Sequence, residues 1–401
     1  MNAPEVGVVM AAVFLWGPLA TRLEKVRLTA PIVFVAVGGL ISAAPGMVKV
    51  DPHGFTVLSE ATLSWVLFCD ASRVRLREFR ADAGFYARLL GIGLPLTIGA
   101  GWLLARFLVP GLDVWLALVV GAALAPTDAA LGLVVVTNRA VPARIRRLIT
   151  VESGLNDGIV TPVVVLAIAG AAHVEHESNV LGELLVGVAI GAAGGFIGGH
   201  LMRFARRRGW ASPEFAGPAV LALVILVYAA AITGHGNGFV AAFVAGLTFG
   251  NAVGHGGAKD VRYVAQTADL ASLLVWMLFG ATVFPVLAGA LDWEIGLYCV
   301  LSLTVVRMVP VALSLLGTRL DRSTVLFVGW FGPRGVASII FALLALDGLG
   351  SRADTVVAVI ALTVLVSVIA HGVSAGPLAA RYGDVLSARS AQRADPLPEF
   401  L

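Results

Sequence analysis

Thirteen apolar segments follow one another along this chain, separated by short polar loops. Hydrophobic residues make up 58% of the 401 residues and charged residues only 13%, a composition far from that of a soluble domain. Because about 20 apolar residues in a helix cross the core of a bilayer, the pattern predicts an all-α polytopic membrane protein. The predicted segments are 5–20, 28–44, 56–72, 85–108, 112–137, 148–172, 180–204, 214–233, 238–251, 270–288, 294–315, 324–346 and 354–376.

The distribution of Lys and Arg predicts the direction in which the segments run. Loops after odd-numbered segments are rich in these residues, whereas loops after even-numbered segments hold only Lys49, Arg106 and Arg352. Since basic residues stay on the cytoplasmic side, we expect the N-terminus outside and the C-terminus in the cytoplasm, in a multi-pass protein of the cell membrane. Membrane topology explains the basic loops, and no nucleic-acid partner is predicted.

Several other classes of protein are not favoured by the sequence. Cys69 and Cys299 both lie in apolar segments, which predicts neither a disulfide scaffold nor a cysteine metal site. The chain has no G-x-x-x-x-G-K-[ST] loop and no H-E-x-x-H motif. We therefore expect no enzyme, no cofactor and no nucleotide-binding domain on this chain, in which residues 377–401 form a short cytoplasmic tail.

Two of the segments are interrupted at membrane depth. Segment five contains Pro126, which cannot donate an amide hydrogen bond and disfavours helix at the residue before it. Segment twelve contains Gly332, Pro333 and Gly335 around Arg334. Such breaks leave backbone carbonyls unpaired, and a membrane tolerates them only where they line a cavity or meet polar groups.

The positions of the two breaks predict an internal repeat. Segments five and twelve are seven apart, so segments one to six (about 5–172) and eight to thirteen (about 214–376) form two inverted six-helix repeats linked by 180–204. Discontinuous helices at matching positions, crossing at mid-membrane, are typical of the binding site of a secondary transporter. A single proline kink is common in membrane helices, and the prediction depends on the coincidence of both breaks with the charged residues Asp128 and Arg334.

Segment six carries two acids within an otherwise apolar run. A charge inside a span costs about 2.5–3.5 kcal/mol on insertion scales, so it persists mainly where it functions or is paired. Glu152 and Asp157 are five residues apart and point about 140° apart on a helix, so they need not share one role. Ser153 lies one turn before Asp157, and the carboxylate and hydroxyl oxygens together suit a hard monovalent cation.

The motifs TDAALG (127–132), ESGLNDG (152–158) and GPRG (332–335) together resemble those of a sodium/proton antiporter of the monovalent cation:proton antiporter-1 family, a prokaryotic member. The resemblance extends over essentially the whole chain. It implies the inverted-repeat antiporter fold and a homodimer in membrane lipid, with a six-helix core that carries the ion. The implied activity is electroneutral exchange of Na⁺ or Li⁺ for H⁺ by alternating access, which serves pH homeostasis.

The resemblance also implies roles for individual residues. Asp157 matches the aspartate at which cation and proton compete, and Asn156 matches the neighbouring asparagine of the electroneutral branch. Glu152 and Arg334 match a buried structural ion pair. The implied cation and proton site comprises Asp157, Asp128, Thr127, Ser153, Asn156 and Asp70, with Na⁺ at Asp157, Asp128, Ser153 and Thr127.

The chain departs from the family pattern in segment three. Many relatives read LFEAGL where this chain reads LFCDAS, so Cys69 takes the place of the expected acid and Asp70 follows it. For Asp70, an interfacial salt bridge with Arg73 is as good an interpretation as a role in the ion pathway.

Two transport alternatives stay open beside sodium/proton exchange. Residue spacing does not separate a Na⁺/H⁺ from a K⁺/H⁺ antiporter. A cation channel is less favoured, because it requires a continuous pore and a filter such as stacked carbonyls, and the sequence has no such signature. Exchange would arise because burial disfavours a charged carboxylate whereas a bound cation favours it, so that proton and cation compete.

Overall fold

The computed structural model describes residues 3–43, 52–74, 76–128, 131, 135, 138, 140–172, 180–254, 257–290 and 292–394. All the regular secondary structure in these residues is helical, which confirms the all-α class. The helices are α1 (Ala3–Lys25), α2 (Ala30–Ala43), α3 (Pro52–Arg73), α4 (Leu76–Arg88), α5 (Leu94–Leu108), α6 (Val114–Ala123), α7 (Ala143–Ala171), α8 (Val180–Arg207), α9 (Pro213–Thr233), α10 (Gly238–Ala252), α11 (Gly257–Ala290), α12 (Trp293–Leu303), α13 (Val305–Ser314), α14 (Arg322–Trp330), α15 (Val336–Leu349) and α16 (Asp354–Ala394).

The thirteen predicted segments correspond to these helices in order. Segment four is α4 and α5 joined by a π-helical turn at Leu89–Gly93, segment eleven is α12 and α13, and segment twelve is α14 and α15. Within the described residues, eight helical stretches are long and apolar enough to cross a membrane, and α2, α6 and α10 are shorter apolar helices. The second half of segment five, between residues 129 and 137, lies mostly outside the described residues.

The glycines of α8 let this helix pack directly against α10. A methyl group on Gly191 would overlap the carbonyl oxygen of Ala241, and one on Gly195 would overlap that of Ala245. Small residues at four-residue spacing predict such close packing of membrane helices, because they allow backbones to approach. The ladder Gly187, Gly191, Gly195 and Gly199 is buried along one face of α8 and packs in this way.

Helix α10 packs against α3 in the same way, through glycines on its other side. A side chain on Gly246 would overlap the carbonyl of Phe68, and one on Gly250 would overlap the carbonyl of Ser72, both in α3. Helices α8, α10 and α3 therefore stack through near-direct backbone contact. This stack fixes the end of α3 that carries Asp70, which lies between the two contacted carbonyls.

We expect Gly191→Val to destabilise the protein by about 1–3 kcal/mol, because overpacking forces the backbones of α8 and α10 apart. Gly99→Val in α5 is the matched control, since a side chain at 99 meets nothing within 4 Å. Thermal unfolding of the purified variants in detergent measures the difference. Equal melting temperatures for the two variants would contradict the packing described here.

Candidate functional site

The break in segment five follows a short, firmly capped helix. Asp113 caps α6 by accepting hydrogen bonds from the amides of Trp115 and Leu116, each at 2.8 Å. The helix ends at Ala123, and the chain continues without regular structure through buried residues as far as Thr127. The proline predicted to interrupt this segment thus does so, and the non-helical backbone is enclosed by protein.

The break in segment twelve meets the break in segment five. Between α14 and α15 the backbone of residues 331–335 is not helical. The amide of Asp128 donates a hydrogen bond of 2.8 Å to the carbonyl of Pro333. The two interrupted segments therefore touch at their breaks, as the inverted-repeat pattern predicts.

Arg334 satisfies the carbonyls that the broken segment five leaves unpaired. Its Nη1 atom donates to the carbonyls of Ala125 and Pro126, at 3.1 and 3.2 Å, and the whole side chain is buried. Ser338, one turn further along α15, donates to the carbonyl of Ala123 at 2.7 Å. Segment twelve thus supplies the hydrogen-bond donors that proline and the break remove from segment five.

The buried ion pair forms with a different arginine from the one expected. Arg307 of α13 lies 2.7 Å from the Glu152 carboxylate, and both side chains are almost fully buried. The resemblance implied Arg334 as the partner of Glu152, and that implied pairing is wrong. Arg334 directs its guanidinium to the carbonyls of segment five, although it remains in electrostatic reach of Glu152. The sequence does not predict this pairing, because the spacing along the chain does not reveal which buried arginine faces α7.

Three polar side chains join the broken segment to α7. The Thr127 and Ser153 hydroxyls are 2.9 Å apart, and Nδ2 of Asn156 donates to the Thr127 hydroxyl at 2.8 Å. All three residues are buried. Oδ1 of Asn156 is also buried and has no hydrogen-bond partner among the described residues, so this oxygen is free to accept a ligand.

Asp157 lies next to this cluster, one residue after Asn156 and only 7% exposed. The carboxylates of Asp128 and Asp70 both act electrostatically on it. Asp128 packs on the backbone of Gly335, where any side chain would overlap its carboxylate. The structure therefore brings Asp157, Asp128, Thr127, Ser153 and Asn156 to the crossing.

Asp70, not Cys69, is the residue of α3 that faces α7. A methyl group on Gly154 would lie 3.3 Å from the Cβ of Asp70, whereas Cys69 is buried in an apolar cluster with residues of α9 and α10. Asp70 also forms the expected salt bridge with Arg73, at 3.1 Å. Since successive helical residues point about 100° apart, the acid at 70 reaches a face that the side chain at 69 does not.

Oxygen atoms are the ligands that this site offers. Carboxylate, hydroxyl and amide oxygens suit hard cations. No group of three or more His, Cys, Asp and Glu side chains gathers as a metal site in the part of the chain that the structure describes. The donor set suits a hard cation, and its carboxylates can also bind a proton.

A family model described as the transmembrane sodium/hydrogen exchanger matches residues 8–381. The chain belongs to the sodium/hydrogen exchanger family. This confirms the resemblance drawn from the three motifs, and the exchanger-family match covers both interrupted segments and α7.

Curated relatives of this exchanger-family chain include the K(+)/H(+) antiporter NhaP of Alkalimonas amylolytica, which is 27% identical over 353 residues. The match covers 84% of this chain and 59% of that protein. The Na(+)/H(+) antiporter 2 of Zygosaccharomyces rouxii is 30% identical over 290 residues, which are 63% of this chain and 34% of the relative. The chain spans about three-fifths of the length of the first of these relatives and about a third of the second.

The solved structure of the sodium proton antiporter MjNhaP1 from Methanocaldococcus jannaschii has the same fold as this exchanger-family chain. The two structures superpose with a TM-score of 0.73 over 94% of this chain and 98% of the other, at 21% sequence identity. At this level of identity the likeness concerns the fold. The fold class predicted from the apolar segments and the two breaks is confirmed.

We expect Arg307→Gln to destabilise the protein by about 3–5 kcal/mol, because it leaves the Glu152 carboxylate buried without its counter-charge. The double variant Glu152→Gln/Arg307→Gln is expected to recover most of that loss, as measured by thermal unfolding in detergent. Arg144→Gln is the control, since its pair with Asp82 leaves the arginine 53% exposed and is worth about 0.2–1 kcal/mol. Rescue of Arg334→Gln, and not of Arg307→Gln, by Glu152→Gln would contradict the pairing.

Proposed function

We propose that this protein is a secondary active transporter that exchanges a monovalent cation for protons across the cell membrane, and that both bind at Asp157. The observation that carries the proposal is the buried Asp157 beside the crossing of two interrupted helices, next to the polar cluster of Thr127, Ser153 and Asn156. Interrupted helices that cross at mid-membrane form the binding sites of inverted-repeat transporters.

Competition at a single carboxylate couples the two fluxes. Burial disfavours the charged carboxylate, and either a proton or a cation removes that penalty. An empty, charged site meets an electrostatic barrier when it moves past apolar surroundings, whereas a loaded site does not. The site therefore changes its exposure from one side of the membrane to the other when it is loaded, and one gradient drives the other ion.

The buried charges support a one-for-one, electroneutral exchange. Glu152 and Arg307 cancel as an ion pair at 2.7 Å. The guanidinium of Arg334 is held on the carbonyls of Ala125 and Pro126, so its charge stays fixed at the crossing. In this proposal Asp157 is neutralised either by one proton or by one monovalent cation, so one exchange moves no net charge.

The neighbouring residues take roles that follow from their contacts. Ser153 and Thr127 offer hydroxyl oxygens, and Asn156 offers the unpaired Oδ1 that lies beside them. Asp128 shares the cation with Asp157. Asp70, which is 28% exposed and tethered to Arg73, lies on the entry path between solvent and the crossing.

The cation is Na⁺ or Li⁺ in this proposal, and K⁺ is the second candidate. The relatives support both candidates, because they include a K(+)/H(+) antiporter and a Na(+)/H(+) antiporter.

The proposed setting is a homodimer in the cell membrane, with the N-terminus outside and the C-terminus in the cytoplasm. The charge pattern of the loops supports this orientation. Helix α1 supports a lipid or second-copy contact, because Phe14 and Leu15 are 75% and 53% exposed on its surface. The proposed organisation is one transmembrane domain over 1–376, followed by the tail 377–401.

We expect Asp157→Asn to abolish exchange, because the amide neither loses a proton nor carries the charge that a cation neutralises. Reconstituted vesicles with an internal pH dye report exchange when Na⁺, Li⁺ or K⁺ is added in turn, and the wild-type protein ranks the three cations. Asp292→Asn is the control, since this exposed acid precedes α12 and makes no side-chain capping bond. Full-rate exchange by the Asp157→Asn variant would contradict the proposal.

We expect Asn156→Asp to make transport electrogenic, because a second carboxylate beside Asp157 gives the site another charge to neutralise. Charge displacement on a solid-supported membrane after a sodium jump measures this. The wild type is expected to produce no sustained current and the variant a current in the presence of a pH gradient. Asn237→Asp is the matched control, because Asn237 caps α10 and aspartate also caps helices. A sustained wild-type current would rule out the one-for-one ratio.

A further inference from the structure

His371 is a buried histidine to which the proposed exchange mechanism assigns no role. It lies in α16, is 1% exposed, and faces the break in segment twelve. Its Nε2 atom is 3.0 Å from the carbonyl of Trp330, and its Nδ1 atom is 3.1 Å from the Ser367 hydroxyl and 2.8 Å from the Ser367 carbonyl. Each ring nitrogen therefore has a hydrogen-bond partner within the protein.

His371 and Ser367 contact backbone groups at the break. Trp330 is the last residue of α14, and its carbonyl accepts from the Gly332 amide at 2.8 Å in place of the amide that a continuous helix would supply. Arg334 lies on the other side of the break, and its amide donates to the Ser367 hydroxyl at 2.8 Å. Two residues one turn apart on α16 thus tie the end of α14 to the beginning of α15.

The hydrogen bonds across the break run from Arg334 through Ser367 to His371. The Ser367 hydroxyl oxygen accepts from the Arg334 amide and lies 3.1 Å from Nδ1 of His371. Each ring nitrogen also faces a carbonyl oxygen, Nδ1 that of Ser367 and Nε2 that of Trp330, and a hydrogen on Nε2 donates to the Trp330 carbonyl. The Trp330 indole lies against the imidazole, with ring centroids 5.2 Å apart, and donates to the Ser374 hydroxyl at 3.1 Å.

Ser374 is the central residue of a G-x-S-x-G sequence, Gly372–Gly376, which occurs in esterases at a strand-to-helix turn. Here the sequence lies inside the helix α16, where that turn does not form. The contact with Trp330 gives Ser374 a structural role, and it belongs to the same set of contacts across the break.

From these contacts we infer that His371 is a positioning residue for the cation site, acting through Ser367 and the backbone of Arg334. The inference rests on the proposed function. The Arg334 backbone, fixed by Ser367, aims its guanidinium at the carbonyls of Ala125 and Pro126. Those carbonyls immediately precede Thr127 and Asp128, so a shift at His371 changes the geometry in which the cation is bound.

His371→Leu tests the inference, because it removes both ring nitrogens at similar volume. We expect the half-saturating cation concentration to rise about three- to tenfold, the equivalent of one net hydrogen bond, while the maximal exchange rate changes little. His371→Gln is expected to restore most of the affinity, because its amide nitrogen can replace the Nε2 donor. His200→Leu is the matched control, since His200 also bonds the carbonyl four residues earlier but lies exposed on α8.

Two further measurements keep the outcomes separate. Ser367→Ala removes only the hydroxyl, so it tests the same path if His371→Leu does not fold, and it is expected to weaken cation affinity to a similar degree. Cation affinity is also measured without transport, from the cation-dependent shift in melting temperature of each purified variant. Wild-type protein that binds cations but exchanges none would overturn the proposed function while the affinity comparison still tests His371. Lowered stability with wild-type affinity in both His371→Leu and Ser367→Ala would overturn the inference.

Discussion

A backbone carbonyl without a partner in hydrocarbon costs several kcal/mol, and segment five has such carbonyls at Ala125 and Pro126. Arg334 pairs with both of them from a different part of the chain. The amide of Asp128 makes the reciprocal bond to Pro333. These bonds allow two helices to be interrupted inside a membrane, and the interruption places Thr127 and Asp128 beside α7.

At the same crossing some buried charges stay paired, whereas the charge of Asp157 changes when an ion binds. Arg307 forms an ion pair with Glu152, and Arg334 donates hydrogen bonds to backbone carbonyls. Neither arginine is therefore available to neutralise Asp157 directly. Asp157 follows Asn156 on α7 and lies one turn after Ser153, and both of those residues bond the Thr127 hydroxyl. A carboxylate in such surroundings gains from binding either a proton or a cation, which is the property that exchange requires.

The parts of this arrangement that depend on local sequence were predictable. Pro126 and the glycines around Arg334 indicate the breaks, and the apolar periodicity indicates the helices. The partner of Glu152 was not predictable, because Arg307 and Arg334 lie in neighbouring segments and only the rotation of each helix decides which one faces α7. The same rotation decides that Asp70, and not Cys69, faces α7. The role of His371 has no local pattern, because the carbonyl that its Nε2 atom contacts belongs to Trp330, 41 residues away.

Helix α6 has 10 residues, about 15 Å of helix, which is half the thickness of a bilayer core. The donor for the carbonyls of Ala125 and Pro126, which follow this helix, is Arg334, which the ribosome adds 209 residues after Ala125. During biogenesis the first repeat therefore enters the lipid with backbone carbonyls at Ala125 and Pro126 that still lack the donor they have in the folded protein. During insertion, water or the insertion machinery must hydrogen-bond these carbonyls until the second repeat is inserted.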